Sequence, residues 1–123
     1  MMAHIGDHIK MTLPRHLRAR TREFYAGLLA CKVLESPLDD LDLYRFGGGF
    51  VVGLFFAEDE QALPEVDYLK ATWLEIKVDD PLLLKTRLQE FGVREVEFPD
   101  PGRFYFQAPG GQVYRIAPMD GGL

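Results

Sequence analysis

An internal repeat is the feature that most constrains the fold of this chain. The segments HIKMTL, residues 8–13, and WLEIKV, residues 73–78, each precede a stretch with helical character. In both segments apolar residues alternate with polar or mixed residues, which is the period of a β-strand with one buried face. The chain is therefore expected to fold as two copies of one supersecondary unit.

The predicted helix of the second copy has well-marked ends. Asp80 is suited to cap its N-terminus, Pro81 fits the first helical position, and Gly92 is suited to end the last turn. One side of this helix is apolar and is expected to face a sheet: Leu84, Leu88 and Phe91. The helix of the first copy is predicted to begin after Pro14, and its inward side is formed by Leu17, Phe24, Tyr25 and Leu28.

Three short strands are predicted after each helix. They span residues 32–35, 41–46 and 50–56 in the first copy and residues 94–98, 103–108 and 112–118 in the second. The last hairpins align without gaps, FGGGFVVGLFF from Phe46 on APGGQVYRIAP from Ala108, and their glycines suit turns that need positive φ. We predict an α+β fold of two tandem βαβββ modules in a single domain, residues 1–123. Module one covers about residues 5–57, a polar linker about 58–70, and module two about 71–119.

Composition excludes several classes of partner. The chain has 123 residues, is 47% hydrophobic, and has a formal net charge of -5 with dispersed basic residues, so one domain and no nucleic-acid partner are expected. No apolar run approaches the ~20 residues that cross a bilayer, and the N-terminus lacks the apolar core of a secretory signal. A cytoplasmic protein without a membrane partner is predicted. The lone cysteine, Cys31, lies among apolar residues, which favours a buried structural thiol over a reactive one.

The duplicated module and four of its motifs resemble the vicinal-oxygen-chelate superfamily of glyoxalases, bleomycin-resistance proteins and extradiol dioxygenases. The motifs are DHIKMTL in the first strand, REFYAGLLACKVLE across the first helix and second strand, the FYAGLL within it, and the hairpin APGGQVYRI, which in relatives often reads DPDGNxIEL. The resemblance covers nearly the whole chain. It implies a glyoxalase/bleomycin-resistance-like domain whose mixed sheet forms a cupped half-barrel with the helices on the convex side. It also implies a homodimer.

The resemblance further implies four metal-ligand positions, which fall here on His8, Gly53, Trp73 and Arg115. Only His8 can coordinate a metal, because glycine has no side chain, indole is a donor only, and arginine is a permanent cation. A slip of one residue in the last hairpin would substitute Ile116 or Ala117, which do not ligate. One imidazole cannot hold a divalent ion in place of three or four donors. No metal and no cofactor are therefore expected, and neither are the metal-dependent glyoxalase and dioxygenase activities.

Strand alternation predicts which side chains face the implied concavity. The set comprises His8, Lys10, Thr12, Val51, Phe55, Trp73, Glu75, Lys77, Val113 and Arg115. The ligand-binding candidates within it are His8, Lys10, Phe55, Trp73, Glu75 and Arg115. Of the run Phe104, Tyr105 and Phe106, either the outer two or the middle residue faces the same side.

Several of these residues have two possible roles. Arg115 could bind a carboxylate or phosphate of a ligand, or it could neutralise Glu75 on the neighbouring strand. Trp73 could stack on a flat ligand or fill volume. His8 and Glu75 are the catalytic candidates, although His8 could equally be a relic of the lost metal site. The acidic residues Asp39, Asp40 and Asp42 lack the glycine and distal glutamate of a calcium loop, so they are expected to be solvated.

Three functions remain open. The leading one is a metal-free small-molecule binding protein of the glyoxalase/bleomycin-resistance type, which encloses an aromatic or anionic ligand in the concave sheet. The first alternative is a metal-independent isomerase or lyase that uses His8, Glu75 or Arg115. The second alternative is a non-catalytic dimeric interaction module.

Overall fold

A computed structural model describes residues 1–122 of the chain. The chain forms two compact units, of which the first spans Met1–Ala62 and the second begins at Leu63. Each unit contains one four-stranded mixed sheet, with strand order β1-β4-β3-β2 in the first and β5-β8-β7-β6 in the second. The predicted α+β class and the repeated order of a strand, a helix and three strands are confirmed.

The strands of the first unit lie close to their predicted positions. They are β1, His8–Pro14, β2, Lys32–Leu34, β3, Leu41–Arg45, and β4, Val51–Ala57. β1 runs parallel to β4, and the other neighbours are antiparallel. The turn between β3 and β4 closes with Gly49 at a φ of 98°, which is the left-handed conformation expected for the glycine-rich hairpin.

The helical segment of the first unit changes its winding twice. A 3-10 turn, Arg15–Leu17, leads into α1, Arg18–Arg22, which continues as a π-helix, Glu23–Leu28. Phe24 and Tyr25 are buried, and the Tyr25 ring stacks on Tyr44 of β3 with centroids 5.4 Å apart. The segment therefore covers the apolar sheet face as predicted, although Leu17 and Leu28 are only partly buried.

Asp42 corrects one expectation. It was expected to be solvated with Asp39 and Asp40, but it is buried on the helix-covered face of β3. Its carboxylate accepts hydrogen bonds from Nη2 of Arg18 at 2.7 Å and from the Tyr44 hydroxyl at 3.1 Å. A buried carboxylate is tolerated where a cation and hydrogen-bond donors satisfy it. Tyr44 is a neighbour on the same strand, but Arg18 comes from the helical segment, 24 residues away, and local sequence does not reveal that cation.

The second unit repeats the arrangement. Its elements are α2, Glu65–Tyr68, β5, Leu74–Val78, α3, Pro81–Phe91, β6, Arg94–Val96, β7, Phe104–Gln107, and β8, Val113–Pro118. The Asp80 carboxylate accepts a hydrogen bond from the Leu83 amide at 3.0 Å, and Gly92 ends α3 at a φ of 93°, which confirms both predicted caps. Trp73 precedes β5 rather than forming its first residue.

Residues from the predicted linker are built into the second unit. Segment 58–70 contains a 3-10 turn, Asp59–Gln61, which lies in the first unit, and α2, which lies in the second. The backbone carbonyl of Glu65 accepts a hydrogen bond from the Gln107 amide at 2.7 Å, and its carboxylate accepts one from the Gly110 amide at 3.0 Å. These two hydrogen bonds hold α2 against the hairpin between β7 and β8. Within residues 1–122, no helix has the length and apolar character that crossing a membrane requires.

Candidate functional site

Arg115 is the centre of a charged cluster in the second unit. It lies on β8 directly opposite Glu75 of β5, and its Nη1 donates a short hydrogen bond to Oε2 of Glu75. Its Nε donates to Oδ2 of Asp100 at 2.8 Å, and its Nη1 also reaches the carbonyl of Gly122 at 3.3 Å. The predicted pairing of Arg115 with Glu75 is present, and Asp100 supplies a second carboxylate. The two carboxylates leave this cluster with an excess of negative charge.

Tyr105 connects the charged cluster to a group of aromatic rings. It lies opposite Arg115 on β7, so the middle residue of the run 104–106 shares the Arg115 face. Its hydroxyl donates to Oδ2 of Asp100 at 2.5 Å. The Trp73 ring meets Tyr105 edge-on with centroids 5.1 Å apart and lies 6.0 Å from Phe98, which itself contacts Tyr105 at 4.8 Å.

A cleft of about 370 Å³ opens beside these groups and is lined by Trp73, Leu74, Glu75, Asp100 and Arg115. Trp73 is 44% exposed, which is high for so large an aromatic side chain. The cleft therefore combines an accessible ring face with fixed polar groups, which is the composition of many small-molecule sites. Its volume is suited to a small ligand.

The hydrogen bonds fix the protonation states of the cluster. The hydrogen bond from Arg115, followed by that from Tyr105, holds the pKa of Asp100 below its ordinary value. The hydrogen bond to Asp100, followed by that to Glu75, raises the pKa of Arg115. Loss of solvent, followed by the hydrogen bond to Asp100, raises the pKa of Tyr105. At neutral pH the cluster is an anchored guanidinium, an ionised Asp100 and a neutral phenol.

The remaining ligand-binding candidates, His8, Lys10 and Phe55, lie on one sheet face of the first unit. His8, Lys10 and Phe55 point away from the helix-covered face, as the alternation predicts. The Lys10 ammonium lies 5.6 Å from the centroid of the Phe55 ring. His8 is exposed, and its Nδ1 lies 3.4 Å from Oδ1 of the neighbouring Asp7. Thr12 and Val51 share this face, whereas Lys77 and Val113 belong to the second unit.

The residues at the implied metal positions do not fit a divalent metal. Gly53 offers no donor, and the Cγ atom of Lys10 lies 3.1 Å from where a Cβ on Gly53 would stand. Arg115 is held by two carboxylates, and Trp73 by aromatic neighbours. Among the side chains of residues 1–122, no three of the His, Cys, Asp and Glu type converge as metal ligands. The implied positions supply one imidazole, that of His8, where such a site requires three or four ligands.

Two members of the cluster, Asp100 and Phe98, were not anticipated from sequence. Both belong to the segment FPDPGR between β6 and β7, whose prolines and glycine indicate a loop but not its partners. The only signal for the site in the local sequence was a carboxylate in a loop that precedes a strand with consecutive aromatic residues. The loop's path toward β8 is a tertiary feature.

Several solved structures are similar to this chain. The trypanothione-dependent glyoxalase I of Leishmania major has a TM-score of 0.71 at 17% identity, over 94% of this chain and 87% of that protein. A glyoxalase-related enzyme from Fulvimarina pelagi has a TM-score of 0.68 at 17% identity, over 94% and 88%. TnmS3, an antibiotic-binding protein from Streptomyces sp. CB03234, has a TM-score of 0.62 at 16% identity, over 96% and 98%. No protein-family model matches the sequence, and no curated protein matches it.

Proposed function

Because the chain has the glyoxalase-type fold of the vicinal-oxygen-chelate superfamily, we propose that it binds a small aromatic molecule without a resident metal. The observation that carries the proposal is the exposed Trp73 ring in the lining of the cleft in the second unit. The ligand's ring would stack on Trp73, and its polar groups would meet Glu75, Asp100 and Arg115. The protein would carry, sequester or sense this molecule.

Two further observations support binding rather than metal-dependent catalysis. The donor set at the implied metal positions does not suit a divalent ion, for the reasons given above. One protein of the same fold, TnmS3, binds an antibiotic, so the fold is compatible with ligand binding. In the second unit an aromatic ligand is favoured over an anionic ligand, because two carboxylates already neutralise Arg115. The acid–base enzyme and the interaction module remain predictions without a specific observation in their favour.

Fluorescence titration tests the proposal directly, because Trp73 is the only tryptophan of the chain. A panel of planar aromatic compounds, neutral and charged, is titrated against the protein, and saturable quenching at micromolar concentration is the expected result. Calorimetry then compares the best compound with the variants Trp73→Ala and Leu82→Ala. Leu82 is a matched control because it is an exposed apolar residue on α3.

Trp73→Ala is expected to weaken binding by about tenfold or more, the size of a lost stacking contact, whereas Leu82→Ala leaves the affinity unchanged. Quenching by no compound of the panel, or equal losses in the two variants, would rule out an aromatic site at Trp73. Conversion of a bound compound to product, abolished in His8→Ala, would replace the binding protein with the acid–base enzyme.

A further inference from the structure

The first unit has a concentration of basic side chains on one sheet face, and one of them, His8, lies beside the carboxylate of Asp7. Lys32 of β2 lies directly opposite Arg45 of β3, Arg45 lies opposite Val51 of β4, and Val51 lies opposite His8 of β1. Alternation places all of these side chains on the face away from the helical segment, together with Lys10 two residues beyond His8. We call this surface, formed by Lys32, Arg45, Lys10 and His8, the basic face.

No carboxylate balances this charge within the sheet. Asp42 is the one acidic residue in the four strands, and it is buried on the opposite face with Arg18. Among the described residues, Lys10, Lys32 and Arg45 form no ion pair, whereas Arg15 and Arg18 of the same unit are both paired. The concentration is notable in a chain whose net charge is -5.

The Lys32–Arg45 pair is unfavourable by itself. Residues directly opposite in an antiparallel pair have Cβ atoms about 5 Å apart, and like charges at that distance destabilise a sheet. A lysine on an edge strand also discourages pairing with other chains, and that role could account for Lys32 on β2 and Lys10 on β1. It does not account for Arg45, which lies on the inner strand β3 directly opposite Lys32.

Apolar groups lie beside the cations on the same face. The next set of directly opposed residues across the four strands, two positions along from Lys32, Arg45 and His8, comprises Leu34, Leu43, Gly53 and Lys10. Gly53 has no side chain, and the Lys10 stem and the Leu43 side chain come within 3.1 and 3.3 Å of where its Cβ would stand. The Phe55 ring lies under the Lys10 ammonium. This surface offers an apolar floor and two exposed cations that a carboxylate, sulfonate or phosphate group could bridge.

We infer that the basic face is an anion-binding site, and that Lys32 and Arg45 hold the anionic group of a small organic ligand. The inference goes beyond the proposed function, since it concerns the first unit alone and a small organic anion as its ligand. It places anion recognition in the first unit rather than at Arg115, which two carboxylates already occupy. An anion between Lys32 and Arg45 relieves their repulsion, so binding also stabilises the folded chain.

The test compares two probes of the same shape, naphthalene-1-sulfonate and the uncharged naphthalene-1-sulfonamide, by calorimetry on the full chain. The double variant Lys32→Gln/Arg45→Gln removes the charges of the basic face. The double variant Lys70→Gln/Arg87→Gln removes the same total charge from exposed residues of the second unit and is the matched control. Urea unfolding verifies that each variant folds, and the first is expected to be at least as stable as wild type because its like charges are gone.

We expect the wild type to bind the sulfonate about tenfold more tightly than the sulfonamide, as charge-assisted hydrogen bonds to two cations require. Lys32→Gln/Arg45→Gln should abolish this preference, and the control variant should keep it. A preference that is absent, or that is lost equally in both variants, overturns the inference. Binding of the sulfonamide in that case leaves the proposed function in place.

If the wild type binds no sulfonamide, the proposed aromatic function is in question. Calorimetric titration with inorganic phosphate then tests the anion-binding site independently. A saturable heat of phosphate binding that disappears in Lys32→Gln/Arg45→Gln and persists in the control supports the anion site. Absence of phosphate binding in the wild type, or its persistence in Lys32→Gln/Arg45→Gln, refutes it.

Discussion

Gly111 is a residue whose lack of a side chain is required by a neighbour. It has a φ of 124°, and a Cβ there would lie 2.8 Å from Cγ of Tyr68 and still closer to Cδ2. Tyr68 is buried beneath the hairpin between β7 and β8, where it anchors α2. Two penalties therefore coincide at this position, the backbone strain of a non-glycine residue and a steric clash.

Gly111→Ala is expected to lower the free energy of unfolding by about 3 kcal/mol, the sum of both penalties. Gly49→Ala is the control, because Gly49 has a φ of 98° but nothing within 4 Å of its Cβ position. The control should lose only about 1 kcal/mol, from backbone strain alone. Urea unfolding measures both values, and equal losses would show that the Tyr68 contact is unimportant.

Cys31 is predicted to be unreactive in the folded chain. The side chain is 6% exposed, and burial raises the pKa of its thiol to about 12. The thiolate is the nucleophile, so at pH 8 almost no reactive form exists. An aromatic disulfide reagent should react slowly with the native protein and rapidly in guanidinium chloride. Rapid reaction under native conditions would indicate an accessible, functional thiol and contradict the structural role.

At the scale of elements, the loop between β6 and β7 is tied to the sheet through one carboxylate. Asp100 accepts hydrogen bonds from Arg115 of β8 and Tyr105 of β7, and the first of these is the main reason why its pKa is lowered. The same loop supplies Phe98 to the aromatic group beside the cleft. The position of the loop, and with it one wall of the cleft, therefore depends on ionised Asp100.

Asp100→Asn tests this dependence through pH. A carboxyl whose pKa is lower in the folded than in the unfolded chain stabilises the fold above the unfolded pKa, about 3.9, and loses that contribution as the pH falls through the folded pKa. The variant should therefore be less stable than wild type at pH 7, and the difference should shrink below about pH 4. Thermal unfolding across pH measures it. Asp79→Asn, an exposed control, should show no such convergence, and a constant gap for Asp100→Asn would refute the linkage.

At the scale of the whole molecule, the chain shares its fold with glyoxalase-type structures, as the sequence motifs predict. The fold alone does not carry the chemistry of those proteins, because activity depends on the residues grafted onto it. Here the positions that the resemblance assigns to metal ligands bear one imidazole, a glycine, an indole and a paired guanidinium. In the proposed function, two of these residues, Trp73 and Arg115, contact a small organic ligand instead.

The corresponding prediction is that the protein has no specific metal site. We expect no saturable rise in Tm on titration with Ni²⁺, Zn²⁺, Fe²⁺ or Mn²⁺, since a specific ligand of the folded state would raise it. Differential scanning fluorimetry and metal analysis of the purified protein provide the measurements. Stoichiometric metal, or a saturable shift that disappears in His8→Ala, would restore the metalloenzyme interpretation.

The homodimer and the cytoplasmic location stay predictions. Sedimentation velocity over a range of concentrations tests the first, with a single dimeric species as the expected result. A species of the monomer mass at all concentrations would exclude it. The same experiment with Lys32→Gln/Arg45→Gln shows whether the basic face influences assembly, which the inference of a small-molecule site does not require.

The sequence by itself determined the elements and their faces. A period of two residues marks β1 and β5, caps mark α3, and glycines mark the turns, because these signals depend on neighbours a few residues away. The repeat predicted the order of the elements along the chain, and the motifs predicted a glyoxalase-type fold. The residue types at the implied metal positions could be read directly, since they depend only on alignment.

The tertiary structure alone decided which side chains meet. Asp100 reaches Arg115 from a loop, Arg18 buries Asp42, and Lys32 stands opposite Arg45. Each of these relations depends on strand register or on the path of a loop, and residues far apart in the chain determine both. The net charge of a site is the sum of the charges of all side chains that meet there. Local sequence therefore indicated that Arg115 carries a positive charge, and only the fold showed that the charge is already neutralised.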